Sequence, residues 1–128
     1  MDDPIDLAKR LGELLSAHPR TKALRDATAA VEGDPEARRL QEEYARAAEE
    51  MHDLEHEGKP IEPERKRRLA TLGDQVRRSA ALQRLLKAHA DFAELMDGVQ
   101  RAIGEAVDAA LGGHDGGGEQ GPLLVTPP

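Results

Sequence analysis

The sequence contains no cysteine and no tryptophan, and its only aromatic side chains are Tyr44 and Phe92. The lack of cysteine excludes disulfides, thiol catalysis, zinc ribbons and cysteine-ligated iron–sulfur clusters, and it fits a reducing compartment. With two aromatic residues, neither a roomy aromatic ligand pocket nor a base-stacking platform for single-stranded nucleic acid is easily built.

Long apolar runs are also missing, since no stretch approaches the roughly 20 residues that span a bilayer. The N-terminus opens with acidic residues and then turns amphipathic, which is the reverse of the order in a secretory signal peptide. We therefore expect a soluble, cytoplasmic protein that does not associate with membranes.

Charged residues are abundant, at 34% of the 128 residues, and Ala, Leu, Glu and Arg dominate the composition as a whole. This composition is typical of exposed helices. The net charge is −7, but the charged residues are unevenly distributed along the chain. Residues 62–87 hold eight basic and three acidic side chains and have a net charge of +5, so the rest of the chain has a net charge of −12. The acidic balance argues against general affinity for nucleic acid.

Helix start and stop signals predict about five helices. Asp3 and Pro4 begin a first helix over about 4–17, and a second, over about 20–32, follows the break that Pro19 imposes. Asp34 and Pro35 begin a third helix over about 35–57. A turn at 58–61 separates it from a fourth helix that Pro63 opens, and Ser79 caps the last and longest helix, which runs to about Leu111.

Two of these helices carry an apolar side chain at alternating spacings of three and four, which is a heptad pattern. In the third helix the pattern comprises Ala37, Leu40, Tyr44, Ala47, Met51 and Leu54. In the last helix it comprises Leu85, His89, Phe92, Met96, Val99, Ile103, Ala106 and Ala110. We expect these two stripes to face each other in an antiparallel hairpin.

The predicted fold is therefore all-α, a small antiparallel helical hairpin or bundle with one domain over residues 1–111. Residues 112–128 form a Gly/Pro-rich tail that we expect to be disordered, and Leu123-Leu124-Val125 is its one segment suited to docking. Large apolar side chains are few for a chain of this length, so the core should be thin and should gain from a partner.

A homodimer or hetero-oligomer built on the long helices is the predicted assembly. The partner or oligomer interface is expected on the stripe of the last helix, although the same side chains are equally consistent with an internal core. These residues are Leu85, Phe92, Met96, Val99 and Ile103.

Two histidine patterns could indicate a zinc site or a catalytic base, but each has a simpler structural interpretation. His52-Asp53-Leu54-Glu55-His56 matches the inverted zinc-protease motif, but zinc hydrolysis also needs a third ligand and a cleft. We interpret both histidines as surface residues near a helix C-terminus, where the helix dipole favours positive charge. His89 is interpreted as a polar residue that fixes helix register. We expect no catalytic residue, metal or cofactor.

The basic segment offers an alternative function, RNA binding through Arg65, Lys66, Arg67 and Arg68. The favoured interpretation is a solvated helix face that pairs with the acidic face of the third helix, across the hairpin or across a dimer. Direct nucleic-acid binding is therefore disfavoured. RNA affinity that falls steeply with salt and is lost when these residues become Gln would reverse the preference.

The order of landmarks along the chain resembles the YlbF/YmcA family of small bacterial regulators over about residues 5–108. The resemblance rests on Ser16-Ala17-His18-Pro19, Lys22-Ala23-Leu24 with Ala27, Gly33-Asp34-Pro35-Glu36-Ala37, Gly58-Lys59-Pro60 and Ser79-Ala80-Ala81-Leu82. The Asp34-Pro35-Glu36-Ala37 helix start is its strongest single mark.

This resemblance implies an all-helical fold, self-association and a non-enzymatic role. Family members are subunits of a complex that modulates RNA processing by ribonuclease Y and, through it, competence, biofilm formation and sporulation. The implied partners are the chain itself, related helical subunits and an endoribonuclease. Some members have cysteines linked to an iron–sulfur cluster, but this chain has none, so that cofactor is not expected.

Overall fold

The computed structural model describes residues 3–112, and all the regular structure in this part of the chain is helical. The five helices are α1 (Pro4–Ser16), α2 (Pro19–Glu32), α3 (Pro35–His56), α4 (Pro63–Arg78) and α5 (Ala80–Ala110). The all-α prediction is confirmed, and the predicted helix ends agree to within one residue where they were specified. Leu123-Leu124-Val125 and the rest of the predicted tail beyond Gly112 lie outside the described residues.

The predicted capping signals operate as expected. The Asp34 carboxylate accepts hydrogen bonds from the first-turn backbone N–H groups of Glu36 and Ala37, both at 3.1 Å. Ser79 Oγ accepts from the backbone N–H of Leu82 at 3.2 Å. Since each of these bonds satisfies a donor that the helix itself leaves unpaired, the caps fix where α3 and α5 begin.

The turn between α3 and α4 is also as predicted. Gly58 takes a φ of +74°, in the left-handed region that a glycine enters without steric cost. The backbone N–H of Lys59 then donates to the carbonyl oxygen of Leu54 at 2.9 Å, which satisfies a carbonyl at the end of α3. The chain reverses here within a few residues.

By contact the chain divides into two units, Met1–Phe92 and Ala93–Pro128. The first unit has a small core, centred on a cluster of Val31, Ala37, Leu40, Leu72 and Leu82. Three of the seven buried apolar residues among residues 3–112 are alanines, and no large side chain there is less than 2% exposed. The core is accordingly thin, and each of its leucines carries a large share of the packing.

The predicted hairpin partner of α3 was wrong. The structure packs α3 antiparallel against α4, as two contacts show: Glu50 pairs with Arg65, and Tyr44 lies beside Gly73. The short connection between α3 and α4 makes them antiparallel neighbours, whereas the heptad pattern alone does not choose between two apolar helices. At its start, α5 contributes Leu82 to the core and packs Leu85 against it.

A polar contact also joins α2 to α5 within the first unit. Arg20 Nη1 donates to the backbone carbonyl oxygen of Asp91 at 3.0 Å. The Asp91 carboxylate in turn accepts a hydrogen bond from Lys87, which lowers the pKa of Asp91.

The described part of the second unit, residues 93–112, is the C-terminal portion of α5 followed by a turn at Gly112. Its apolar side chains fall into two groups by exposure. Leu95, Met96 and Val99 are half-buried. Ile103, Val107 and Leu111 are 53%, 50% and 69% exposed.

Candidate protein-interaction surfaces

An open apolar groove of about 440 Å³ lies where α3, α4 and the start of α5 meet. We call it the apolar groove, and its principal lining residues are Tyr44, Gly73, Val76, Leu82, Leu85 and Leu86. Leu82 forms its buried floor, while Leu86 and Tyr44 remain 57% and 37% exposed. It therefore offers apolar area that the chain itself does not cover.

Two local features shape this groove. Gly73 is buried, and a Cβ at this position would lie 3.6 Å from Tyr44 Cε1, so the Tyr44 ring rests close to the backbone of α4. On the other side, Gln83 Nε2 donates to the backbone carbonyl oxygen of Val76 at 3.1 Å. This bond ties the end of α4 to the start of α5. The groove is consequently held by contacts among three helices and is suited to apolar side chains from a partner helix.

A second groove, of about 750 Å³, has a charged lining. Arg65, Arg67 and Arg68 line it together with Glu62 and Glu64. Carboxylates are thus interleaved with the guanidinium groups. A nucleic-acid backbone is bound best by a continuous positive surface, which this groove does not present.

The favoured interpretation of the basic segment is supported at one position. Arg65 Nη1 lies 3.0 Å from Glu50 Oε1, so this basic residue pairs with the acidic face of α3 across the hairpin. Both side chains are about half exposed, and the pair therefore contributes little to stability. Lys66, Arg67 and Arg68 are exposed on the same helix.

Arg39 extends the mixed charge pattern along α3. Its guanidinium pairs with Glu36 and Glu43, and the hydrogen bonds to these two carboxylates raise the pKa of Arg39. Glu43 also lines the charged groove. Arg39 is therefore paired with carboxylates on its own face of α3.

The residues predicted for the partner interface differ in their exposure. Leu85 packs against the core and also lines the apolar groove. Phe92, Met96 and Val99 are half-buried, while Ile103 is more than half exposed.

Sequence reasoning missed Leu86 and the role of Tyr44 in the groove. Leu86 lies one residue beyond the heptad position at Leu85, and two successive leucines widen the apolar face of α5 beyond a single stripe. This wider apolar face was the sequence signal from which Leu86 could have been identified. The contact between Tyr44 and Gly73 had no signal in the sequence, because the two residues lie on different helices.

The two histidines of the zinc-protease motif lie side by side on the surface of α3. His52 and His56 are exposed and stack on each other, with ring centroids 6.3 Å apart. Among residues 3–112, no group of three or more His, Asp or Glu side chains is placed to hold a metal ion. The interpretation of His89 as a packed register residue was wrong, because His89 is exposed and the neighbouring Ala88 occupies the buried position of that turn.

Within the described helices, none combines the length and apolar character that crossing a membrane requires. The same part of the chain also buries no polar or charged residue.

Comparison with known proteins gives the fold and the family. A chain of the X-ray crystal structure of Bacillus subtilis RicA in complex with RicF is similar, with a TM-score of 0.69 and 20% sequence identity. The match covers 85% of this chain and 99% of that one. No curated protein sequence matches. Residues 5–108 match the family described as control of competence regulator ComK, YlbF/YmcA. With most of its length matched, the chain belongs to the YlbF/YmcA family.

Proposed function

We propose that this protein is a non-catalytic regulator that acts by binding other protein chains. Its setting is a cytoplasmic complex that modulates RNA processing through an endoribonuclease of the ribonuclease Y type, and thereby development or biofilm formation. The observation that carries the proposal is the family match over residues 5–108, to proteins described by their control of another regulator. The similar solved structure is itself a complex of two proteins.

The surface chemistry supports a binding role. Reaction centres combine a concave site with converging titratable groups whose pKa values are shifted by burial. Among residues 3–112 no titratable side chain is buried, and the apolar groove is lined mainly by hydrocarbon. An apolar groove between helices is a common receptor for one face of an amphipathic helix.

The apolar groove is the proposed contact for a related helical subunit. Leu86 and Tyr44 supply exposed apolar area at its rim, and the floor at Leu82 is already desolvated. A partner leucine or methionine that enters the groove would be buried fully, which is worth about 1.5–3 kcal/mol for each side chain.

Affinity purification of the full chain from its native host, followed by mass spectrometry, tests the proposal. We expect a second YlbF/YmcA-family protein and an endoribonuclease to be recovered. Leu86→Glu places a charge at the rim of the groove and should remove the family subunit. Leu14→Glu is the matched control, because Leu14 is 71% exposed on α1 and does not line the groove. Circular dichroism checks that both variants remain helical.

Recovery of neither protein, or equal recovery by both variants, would count against this function. The alternative, direct RNA binding, has its own signature. It predicts RNA affinity that falls steeply with salt and disappears when Arg65, Lys66, Arg67 and Arg68 are changed to Gln. Since the charged groove interleaves Arg65, Arg67 and Arg68 with carboxylates, we expect no such loss.

A further inference from the structure

Three large aliphatic side chains lie in line along the end of α5 and are open to solvent. Ile103, Val107 and Leu111 are 53%, 50% and 69% exposed, and all three belong to the second unit. Leu111 keeps the helical register, because its backbone N–H donates to the carbonyl oxygen of Val107 at 3.0 Å. We call these three residues the C-terminal stripe. Apolar area of this kind gains free energy when another apolar segment covers it.

The chain changes direction directly after the stripe. Gly112 takes a φ of +81°, in the left-handed region. Its backbone N–H donates to the carbonyl oxygen of Ala109 at 3.2 Å, which is one of the two bonds of a Schellman-type helix end. A left-handed residue at this position turns the backbone out of the helical path, so the residues that follow do not extend the helix axis.

The sequence beyond Gly112 carries one aliphatic segment at a suitable distance. Residues 113–122 include five glycines and no large aliphatic side chain, and Leu123-Leu124-Val125 follows them. A glycine-rich chain of the eleven residues 113–123 has a root-mean-square span of about 17–20 Å. Along the helix, Gly112 and Ile103 are about 14 Å apart. The segment therefore reaches the whole C-terminal stripe without a stretched connection.

The spacing of side chains in this segment also matches the stripe. Pro122 and Pro127 flank the segment, and proline disfavours helical geometry at the residue before it. In an extended backbone, Leu123 and Val125 project to the same side about 6.6–6.8 Å apart. Neighbouring members of the stripe are four residues apart, which is about 6 Å along the helix. Two aliphatic side chains can therefore contact two positions of the stripe at once.

We infer that Leu123-Leu124-Val125 folds back and covers the C-terminal stripe of its own chain. The inference goes beyond the proposed function and does not rest on it, because the segment and the stripe belong to one chain. A short glycine-rich connection gives the segment an effective concentration in the millimolar range. A partner helix at micromolar concentration has to bind the stripe about 1,000-fold more tightly to occupy it equally. The tail is thus a built-in cover that a partner has to displace.

A spin label placed beside the segment tests the contact. The chain has no cysteine, so Thr126→Cys supplies a single thiol for a nitroxide label. Nuclear magnetic resonance of the full chain, enriched with nitrogen-15, measures the paramagnetic broadening of each backbone amide signal. We expect strong broadening at Ile103 and Val107. An excess of unlabelled chain should leave this broadening unchanged, because the contact lies within one chain.

Two substitutions in the labelled chain separate docking from simple tethering. Val107→Glu places a carboxylate in the stripe, and because its burial is costly, broadening at Ile103 should fall about threefold or more. Ala109→Glu is the matched control, since it adds the same charge at an exposed position on the opposite side of the helix and should leave the broadening unchanged.

A double substitution in the tail provides a second test that alters no residue of α1–α5. Leu123→Ser/Val125→Ser removes the aliphatic side chains that the stripe would contact, and it should reduce the broadening at Ile103 as much as Val107→Glu does.

Equal broadening at Ile103 in Val107→Glu and Ala109→Glu would overturn the inference, because it would report the length of the tether alone. Broadening that survives the double substitution in the tail would do the same. A mixture of spin-labelled chain with unlabelled chain enriched in nitrogen-15 identifies the remaining occupant. Broadening of the enriched chain in that mixture would show that a second copy, and not the chain's own tail, lies on the stripe.

Discussion

Replacing Leu72 with alanine removes a central side chain of the small core. Leu72 is 4% exposed and belongs to the cluster that joins α2, α3, α4 and the start of α5. Substitutions of buried leucine by alanine cost about 2–5 kcal/mol, from lost transfer free energy and from the cavity that remains. The cost is lower where neighbours or solvent can fill the space.

The position of Leu72 sets the expected value within that range. Its side chain also lines the open charged groove, so water and the flexible arginines there can partly occupy the vacated space. We therefore predict a loss of about 2–3 kcal/mol in the free energy of unfolding. For a domain whose total stability is about 5–15 kcal/mol, this is a large fraction.

Urea titration followed by far-ultraviolet circular dichroism measures the loss. Leu14→Ala is the matched control, since the same atoms are removed from a side chain that is 71% exposed, and its effect should stay within about 0.5 kcal/mol. Equal effects of the two substitutions would refute the reasoning, because stability would then not depend on the cluster around Leu72.

Two further substitutions test single contacts. Gly73→Ala should stabilise the protein by about 0.5–1 kcal/mol in the same titration, because alanine favours the helix and the new Cβ meets Tyr44 at an ordinary contact distance of 3.6 Å; destabilisation would show that the two helices tolerate no added atom there. Lys87→Met should raise the pKa of Asp91 from its lowered value towards 3.8, as followed by NMR titration of the carboxyl group. Because the pKa of Asp91 is lower in the folded protein than in the unfolded chain, the stabilisation is present above the ordinary pKa of 3.8 and is lost as the pH falls through the lowered pKa. The two proteins should therefore begin to converge in stability below about pH 4 and become equal only below that lowered pKa; an unchanged Asp91 titration would contradict this cause.

Only some of the residues that line the apolar groove could be predicted from the sequence. Leu85 was identified because it lies on a regular stripe, and the structure places it in the groove. Leu86 was not identified, although it is the more exposed of the two. A periodic pattern reports which helix face is apolar, but the share of that face left uncovered depends on neighbours that come from elsewhere in the chain.

The sequence by itself determined the helices of this protein, since their ends depend on neighbouring residues. Asp34 caps α3 through backbone groups two and three residues away, and Gly58 ends the helix through its own backbone freedom. The contribution of each of these positions therefore depends mainly on its immediate neighbours in the chain.

Only the tertiary structure decided that α3 packs against α4, that Tyr44 rests beside Gly73 and that His89 faces solvent. These outcomes depend on contacts between residues far apart in the chain. More than one helix of the chain carries an apolar stripe that α3 could cover, and apolar burial is non-directional, so it does not choose among them. Connection length and the fit of individual side chains then determine which helices meet.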